Sequence, residues 1–166
     1  MGRGRGWATG ENMGLDNRVP FLLSRTSYLI KKHILSTLAG QGLDGLTGEE
    51  MAILGRVHET PGLSQSEISN RTIKDKTTVS RLIAGMERKN LIERRRDAAD
   101  KRVFHIHLTE KGEMFAVALF DLMDRVTEDI TAEISNEDME TTLKTLKAVY
   151  ARAITLHALE DEMSGK

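Results

Sequence analysis

Residues 64–109 read SQSEISNRTIKDKTTVSRLIAGMERKNLIERRRDAADKRVFHIHLT, and this stretch decides the fold of the 166-residue chain. Ser64–Glu67 has the pattern of a capping box before a short helix, and Asp75 can cap a second, longer helix. Two short apolar segments follow, one beginning at Leu91 and one over residues 103–108, with arginines and a polar tip between them. The stretch therefore predicts helix, turn, helix and then a β-hairpin.

The same stretch concentrates the positive charge of a chain whose net charge is −1. Residues 71–102 contain eleven Lys and Arg against five Asp and Glu, a local balance of +6, whereas residues 103–166 carry −7. A polyanion would therefore meet one basic patch. The alternative is that these charges form only a solvated protein surface, which would have a similar composition. However, five cations around one hairpin tip repel each other, and this repulsion makes sense beside a polyanion.

The helix that follows Asp75 has the pattern of a DNA-reading helix. On a helical wheel its apolar side chains gather on one face, and its opposite face presents hydroxyl groups, Lys76 and Arg81. The hydroxyls and the free amides of the first turn can bind phosphate, and Arg81 can reach guanine O6 and N7. The buried face of this helix is predicted to contain Val79, Leu82, Ile83 and Met86.

The flanking sequence predicts four more helices and a tail. Apolar residues at helical spacing predict a helix from Arg18 to Ala39. The capping box Thr47–Glu50 begins another helix, which precedes residue 64. Two longer helices are predicted after Thr109 and after Ser135, and residues 1–17 are interpreted as a flexible tail. The apolar stripes of the terminal helices are wider than one small domain can cover.

Several classes of function lack the residues that they need. The chain has no cysteine, which excludes disulfides and thiol-based sensing, and it has no apolar run of about 20 residues that could span a bilayer. We find no nucleophile–base set, phosphate loop or H-E-x-x-H motif, so we predict no enzyme and no cofactor. His105 and His107 share a strand face, with His33 a further candidate, but histidines without clustered Cys or carboxylates are more typical of a surface than of a metal site. The starting sequence has no apolar signal-peptide core, and we expect a cytoplasmic protein.

Residues 18–159 resemble the MarR family of winged helix-turn-helix transcription regulators. The Asp100-x-Arg102 pair, followed by Leu-Thr and a nearby Gly, is fairly specific to this family. Two positions depart from its pattern: Ala98 replaces a common proline, and Asn90 replaces a glycine but tolerates the left-handed conformation. The matching segments are 63–68 for the bracing helix, 75–83 for the recognition helix, 91–94 and 97–102 for the wing hairpin and its tip, and 108–112.

The resemblance implies a mainly α fold with a small β-hairpin wing, in which the winged helix-turn-helix (residues 47–109) lies between the segments of a helical dimerisation region (18–46 and 110–166). It also implies a homodimer on pseudo-palindromic operator DNA, with two recognition helices about 34 Å apart. We therefore expect a sequence-specific regulator, a repressor released by a small-molecule effector. The alternatives are an architectural DNA-binding protein with little sequence preference and a protein-interaction module.

The resemblance also assigns candidate site residues. Arg102 is expected in the minor groove with Asp100 orienting it, although Asp100 fits a simple turn residue as well. Arg95 and the other wing cations are expected to meet phosphates or stay solvated. The candidate DNA-binding residues are Ser64, Gln65, Lys76, Thr77, Thr78, Ser80, Arg81, Arg94, Arg96, Asp100, Lys101 and Arg102. The candidate effector-pocket residues are Tyr28, His33, Met51, Phe104, Met114 and Phe115. The alternative is that they belong to the hydrophobic core, as Met and Phe at helical spacing usually do.

Overall fold

The computed structural model describes residues 14–40, 44–97 and 103–163, with side chains described as far as residue 158. These residues form two compact units, one ending at Val126 and the other beginning at Thr127. The elements confirm the predicted mainly α fold with a small β-hairpin wing. The helices described are α1 (Val19–Gly40), α2 (Gly48–Glu59), α3 (Gln65–Thr72), α4 (Lys76–Arg88), α5 (Glu110–Thr131) and α6 (Asn136–Met163), and the strands are β1 (Leu63–Ser64), β2 (Ile92–Arg96) and β3 (Phe104–Leu108).

The helix starts lie where the capping patterns predicted them. At α2 the Glu50 N–H donates to Thr47 Oγ1 (3.2 Å), and the Thr47 N–H donates back to the Glu50 carboxylate (2.9 Å). Ser64 and Glu67 make the same reciprocal pair at α3. The Asp75 carboxylate accepts the Thr78 N–H (2.8 Å) at α4. Each cap satisfies amides that would otherwise have no partner in the first turn.

The three strands form an antiparallel sheet in the order β1–β3–β2. The predicted hairpin pairs Ile92 with Leu108 and Arg96 with Phe104. Strand β1, which pairs Leu63 with Ile106, was not predicted, because two residues carry no alternation pattern. This short strand joins the start of α3 to the wing.

The core of the first unit is built around α4. Val79, Ile83 and Met86 are fully buried, as the helical wheel predicted, whereas Leu82 is only half-buried against the same core. The core extends to α2, α3, the sheet and α5, and α1 adds Ile34 and other apolar side chains. Because one face of α4 is anchored so completely, the direction of its opposite face is well defined.

Two backbone features were not predicted from local sequence. A 3-10 turn over Leu15–Asn17 falls within the segment interpreted as a tail. Ile73, between α3 and α4, has the left-handed conformation (φ 53°, ψ 48°), which is costly for a β-branched residue. Asn90 has φ 56°, as predicted for the end of α4.

Gly112 allows α5 to approach the residue that precedes β2. A Cβ atom at this position would lie only 1.9 Å from the Leu91 carbonyl oxygen. The same oxygen accepts the Thr109 N–H (3.1 Å). The glycine of the 108–112 motif is therefore required by close packing, not by a positive φ.

The second unit consists largely of α6, whose start is capped by Ser135, as predicted. Large apolar side chains remain exposed along this helix, among them Leu143 (48% exposed) and Tyr150 (51%). Among the described residues, no helix is both long and apolar enough to cross a membrane.

Candidate nucleic-acid interface

The N-terminal half of α4 is the exposed end of the predicted recognition helix. Lys76, Thr77 and Arg81 are exposed, and Thr78 and Ser80 are half-buried. The Arg81 guanidinium makes no hydrogen bond and no ion pair with another described residue. Its donors can therefore meet a ligand without first leaving a protein partner.

Thr78 has a structural bond in addition to its predicted DNA contact. Its hydroxyl donates to Asp75 Oδ2 (2.7 Å), so only the oxygen lone pairs remain for a ligand. Donation from the Thr78 N–H and then from its hydroxyl lowers the pKa of Asp75. Asp75 therefore stays ionised as the cap that begins α4.

The start of α3 braces α4. Gln65 Nε2 donates to the Lys76 carbonyl oxygen (3.3 Å), linking the first turns of the two helices. Ser64 is engaged in its capping box, and its hydroxyl and N–H bonds lower the pKa of Glu67. Two of the predicted DNA-binding residues thus stabilise the helix-turn-helix itself.

Arg71 near the end of α3 and Lys74 in the turn before α4 also have protein partners. The Arg71 guanidinium donates to Thr60 Oγ1 (2.9 Å), and Lys74 Nζ lies 2.8 Å from Glu49 Oε1. The Ser69 hydroxyl donates to the Lys74 carbonyl oxygen, which helps to fix the turn. The +6 patch therefore includes cations that hold the fold together, so its total is not all available to a polyanion.

The wing strand β2 presents three arginines with different partners. Arg94 Nε lies 3.1 Å from Glu87 Oε2 of α4, and Arg95 pairs with Glu93 (2.6 Å). The Arg96 guanidinium lies over the Phe104 ring, 5.6 Å from its centre. A phosphate would have to displace Glu87 to reach the half-buried Arg94. The predicted tip residues Asp100, Lys101 and Arg102 lie outside the described residues.

His105 connects the wing to the start of the helix-turn-helix. Its Nδ1 lies 2.7 Å from the Gly62 carbonyl oxygen, and its Nε2 lies 2.8 Å from Asp97 Oδ2. The hydrogen bonds to Asp97 and then to Gly62 raise the pKa of His105. Burial, and then the nearby Arg95 charge, lower the pKa of His107. In the part of the chain that the structure describes, no three His, Cys, Asp or Glu side chains group as metal ligands do.

Comparison with known proteins assigns the family. The sequence model of the MarR family matches residues 44–103. Transcriptional regulator HosA from Escherichia coli O157:H7 is 32% identical over 98 residues, which cover 59% of this chain and 73% of HosA. The chain belongs to the MarR family.

Solved structures of other MarR-like regulators share the fold of this MarR-family protein. FabT of Streptococcus pneumoniae, crystallised in complex with DNA, matches with a TM-score of 0.75 and 25% identity, covering 84% of this chain and 97% of FabT. The DNA complex of Staphylococcus aureus MepR matches with a TM-score of 0.71 and 26% identity, covering 81% of this chain and 96% of MepR. The protein is thus a transcription regulator of the MarR type, not an enzyme, and its fold is the predicted winged helix-turn-helix.

This MarR-family chain also contains a cavity of about 610 Å³ among α1, α2 and α5. Its walls are mainly apolar, and Lys31, Arg56 and Glu59 contribute its charged groups. Such a volume is typical of small-molecule sites. The apolar lining is formed by side chains that include Leu23, Ile30, Ile34, Met51, Leu119 and Phe120.

The structure does not gather the six predicted effector residues in this cavity. Met51 lines it, and the other five lie outside its lining. Tyr28 and Met114 are each 63% exposed, and Phe115 packs against the core beneath Lys111. His33 is exposed on α1, and Phe104 lies in the wing. The missed lining residues of α1 recur at helical spacing, but that spacing alone does not distinguish a cavity wall from a packed core.

Proposed function

We propose that this protein is a homodimeric repressor that binds pseudo-palindromic operator DNA, with α4 in the major groove and the wing in the minor groove. The observation that carries this proposal is the geometry of α4. Val79, Ile83 and Met86 anchor one face, while Lys76 and Arg81 project from the other. A helix held in this way can place its N-terminal side chains against base edges.

The proposal of a homodimer rests on apolar surface. Large apolar side chains are exposed in both parts of the proposed dimerisation region, residues 18–46 and 110–166. Exposed apolar patches of this kind need a protein partner. The proposed winged helix-turn-helix, residues 47–109, would then be presented twice, once to each half-site, while residues 1–17 remain the proposed tail. The exposed side chains include Leu22, Tyr28, Leu29, Val117, Ile130, Leu143, Leu146, Val149, Tyr150 and Ile154.

Substitution of Arg81 tests the role of α4. Duplexes are first selected from a random-sequence library with the wild-type protein, and affinities are then measured at one salt concentration. We expect Arg81→Ala to lose about 1–3 kcal/mol of binding free energy per half-site and to relax sequence preference. Arg152→Ala, an equal change of charge on α6 in the proposed dimerisation region, should leave both unchanged once size-exclusion chromatography shows that it dimerises as the wild type does. Full affinity and preference in Arg81→Ala would refute the role of Arg81.

The same selection separates the alternatives. An architectural DNA-binding protein would bind random duplex as tightly as selected duplex, whereas a protein-interaction module would dimerise and bind neither. Because Arg102 is proposed for the minor groove with Asp100 orienting it, and a dimer presents two wings, Arg102→Ala should reduce the dependence of log affinity on log salt by about two units, one for each protomer. An unchanged slope would place Arg102 away from DNA.

We also propose the 610 Å³ cavity as the effector site. Its apolar walls fit an apolar molecule. Arg56 is paired with Glu59 (2.9 Å), so Lys31 is the cation that favours a ligand with an acidic group. A panel of apolar carboxylic acids and their neutral amides can be screened by thermal unfolding, because a bound ligand raises the melting temperature. Ala52→Leu should fill part of the cavity and weaken the response. An acid that stabilises both proteins equally must bind elsewhere.

Release of the selected duplex by a stabilising acid would support repression relieved by an effector. Tighter binding to the duplex would instead favour an activator or a corepressed protein. Because the proposed target is chromosomal DNA, we also propose a cytoplasmic location.

A further inference from the structure

The two ring nitrogens of His105 both face hydrogen-bond acceptors. Nδ1 lies 2.7 Å from the Gly62 carbonyl oxygen, and Nε2 lies 2.8 Å from Asp97 Oδ2. A carbonyl has no proton to donate, and an aspartate near neutral pH is ionised. A neutral imidazole carries one N–H and can make only one of these bonds. Both bonds exist together only when His105 is an imidazolium.

The bond to Gly62 joins the wing to the segment that leads into the helix-turn-helix, and the bond to Asp97 lies within the wing, where it holds the His105 ring in place. Gly62 directly precedes β1, which leads into the Ser64 cap of α3. Asp97 directly follows β2, and its N–H donates to the Val103 carbonyl oxygen (3.0 Å) at the base of the wing tip. The Gly62 N–H already donates to the Ile106 carbonyl oxygen (3.0 Å), and β1 is only two residues long, so the bond from His105 adds a side-chain contact to a short backbone pairing.

The charges around His105 favour its protonated form. The Asp97 hydrogen bond is the largest cause that raises the pKa of His105, and Glu67 of α3 adds a more distant attraction. Burial opposes this rise in pKa, and Arg95 lies opposite His105 in the β2–β3 pairing. Among the described residues, the titratable and charged groups near the ring are Glu67 on α3 with Arg71 close to it, Arg95 on β2, Asp97 after β2, and His107 on β3. The uncharged Gly62 and Ser64 precede α3.

We propose that His105 is a positioning residue that, as an imidazolium, fixes the wing against the helix-turn-helix, and that DNA binding weakens when it loses its second proton. The second part rests on the proposed DNA-binding function. Because the pKa of His105 is raised, both of its hydrogen bonds, which together form the tether, are present below the ordinary histidine pKa of about 6.5. One of the two bonds is lost as pH rises through the raised pKa.

The first test needs no DNA. NMR titration of the full chain should show that His105 titrates above about 6.5 and His107 below it. In Asp97→Asn the side-chain amide can donate to a neutral Nε2, so the pKa of His105 should fall. A wild-type His105 that titrates at or below 6.5 would overturn the tether whatever the protein binds.

The second test measures affinity for one selected duplex of about 25 base pairs, long enough for two half-sites, at constant ionic strength. Between about pH 6 and pH 9 the wild-type affinity should fall about fivefold beyond that of His105→Gln, the effect of losing one hydrogen bond. His107→Gln, the matched control on the same strand face, should keep the wild-type profile. Equal profiles for wild type and His105→Gln would overturn the proposal. If no duplex binds at any pH, the proposed function fails, and the NMR titration still decides the tether.

Discussion

Substitution of Gly112 by alanine tests how closely α5 packs against the wing. The new Cβ would lie 1.9 Å from the Leu91 oxygen and 2.9 Å from the Leu91 carbonyl carbon. An ordinary contact needs about 3.4 Å, so the two backbones would have to separate by about 1.5 Å. Leu91 is almost fully buried, and its backbone cannot swing aside as a flexible side chain can.

The expected free-energy change is the sum of opposing effects. Overpacking of this kind costs about 1–3 kcal/mol, and the separation would also weaken the hydrogen bond from Thr109 to Leu91, worth about 1 kcal/mol. Alanine in a helix recovers about 0.5–1 kcal/mol relative to glycine. We therefore expect Gly112→Ala to lower the free energy of unfolding by about 2 kcal/mol.

Urea unfolding followed by circular dichroism measures this change, at one protein concentration because a dimer is stabilised by mass action. Gly55→Ala is the matched control. Gly55 also lies within a helix, but the nearest atom to its added Cβ is a Phe120 ring carbon at 3.8 Å. The control should gain about 0.5–1 kcal/mol. If Gly112→Ala were as stable as Gly55→Ala, the close approach of α5 to Leu91 would be wrong.

Three further predictions concern single residues of the first unit. Ile73→Asn should raise the melting temperature, because asparagine tolerates the left-handed conformation that costs isoleucine about 1–2 kcal/mol; a lower melting temperature would contradict this. Lys89→Met should lower the free energy of unfolding by about 2 kcal/mol, because the buried Glu50 loses its ammonium partner at 2.7 Å, and the added change Glu50→Gln should restore part of the loss. Asp75 has a lowered pKa, so its contribution to stability is present above about pH 4 and is lost as pH falls; Asp75→Asn should show a smaller loss on acidification, and identical acid profiles would argue against this cap.

Interactions between residues close in sequence were predictable from the sequence. The caps at Thr47, Ser64 and Asp75 each join residues three positions apart, so their patterns are visible in the printed chain. The buried face of α4 follows from helical spacing, with Leu82 the one position that is less buried than predicted. Asn90 ends α4 in a conformation that its own chemistry favours.

Several charged side chains have partners that only the tertiary structure supplies. The hairpin places Arg94 beside Glu87, and nothing in either local sequence indicates that pair. Likewise, His105 was a weak metal candidate until the fold placed Gly62 and Asp97 at its two nitrogens. Arg94 and Glu87 are seven positions apart, His105 and Asp97 are eight apart, and His105 and Gly62 are 43 apart, so each pair depends on how the strands fold back on the chain and on their register.

The helices, the hairpin, the basic patch and the exposed face of α4 around Arg81 could all be predicted from the sequence, because each depends on local spacing and composition. The tertiary structure alone decided that β1 joins the sheet, that Gly112 must lack a side chain, and that the cavity among α1, α2 and α5 is lined by Met51 but by none of the other predicted effector residues. The physical reason is that burial and close contact are properties of surfaces that meet only after the chain has folded.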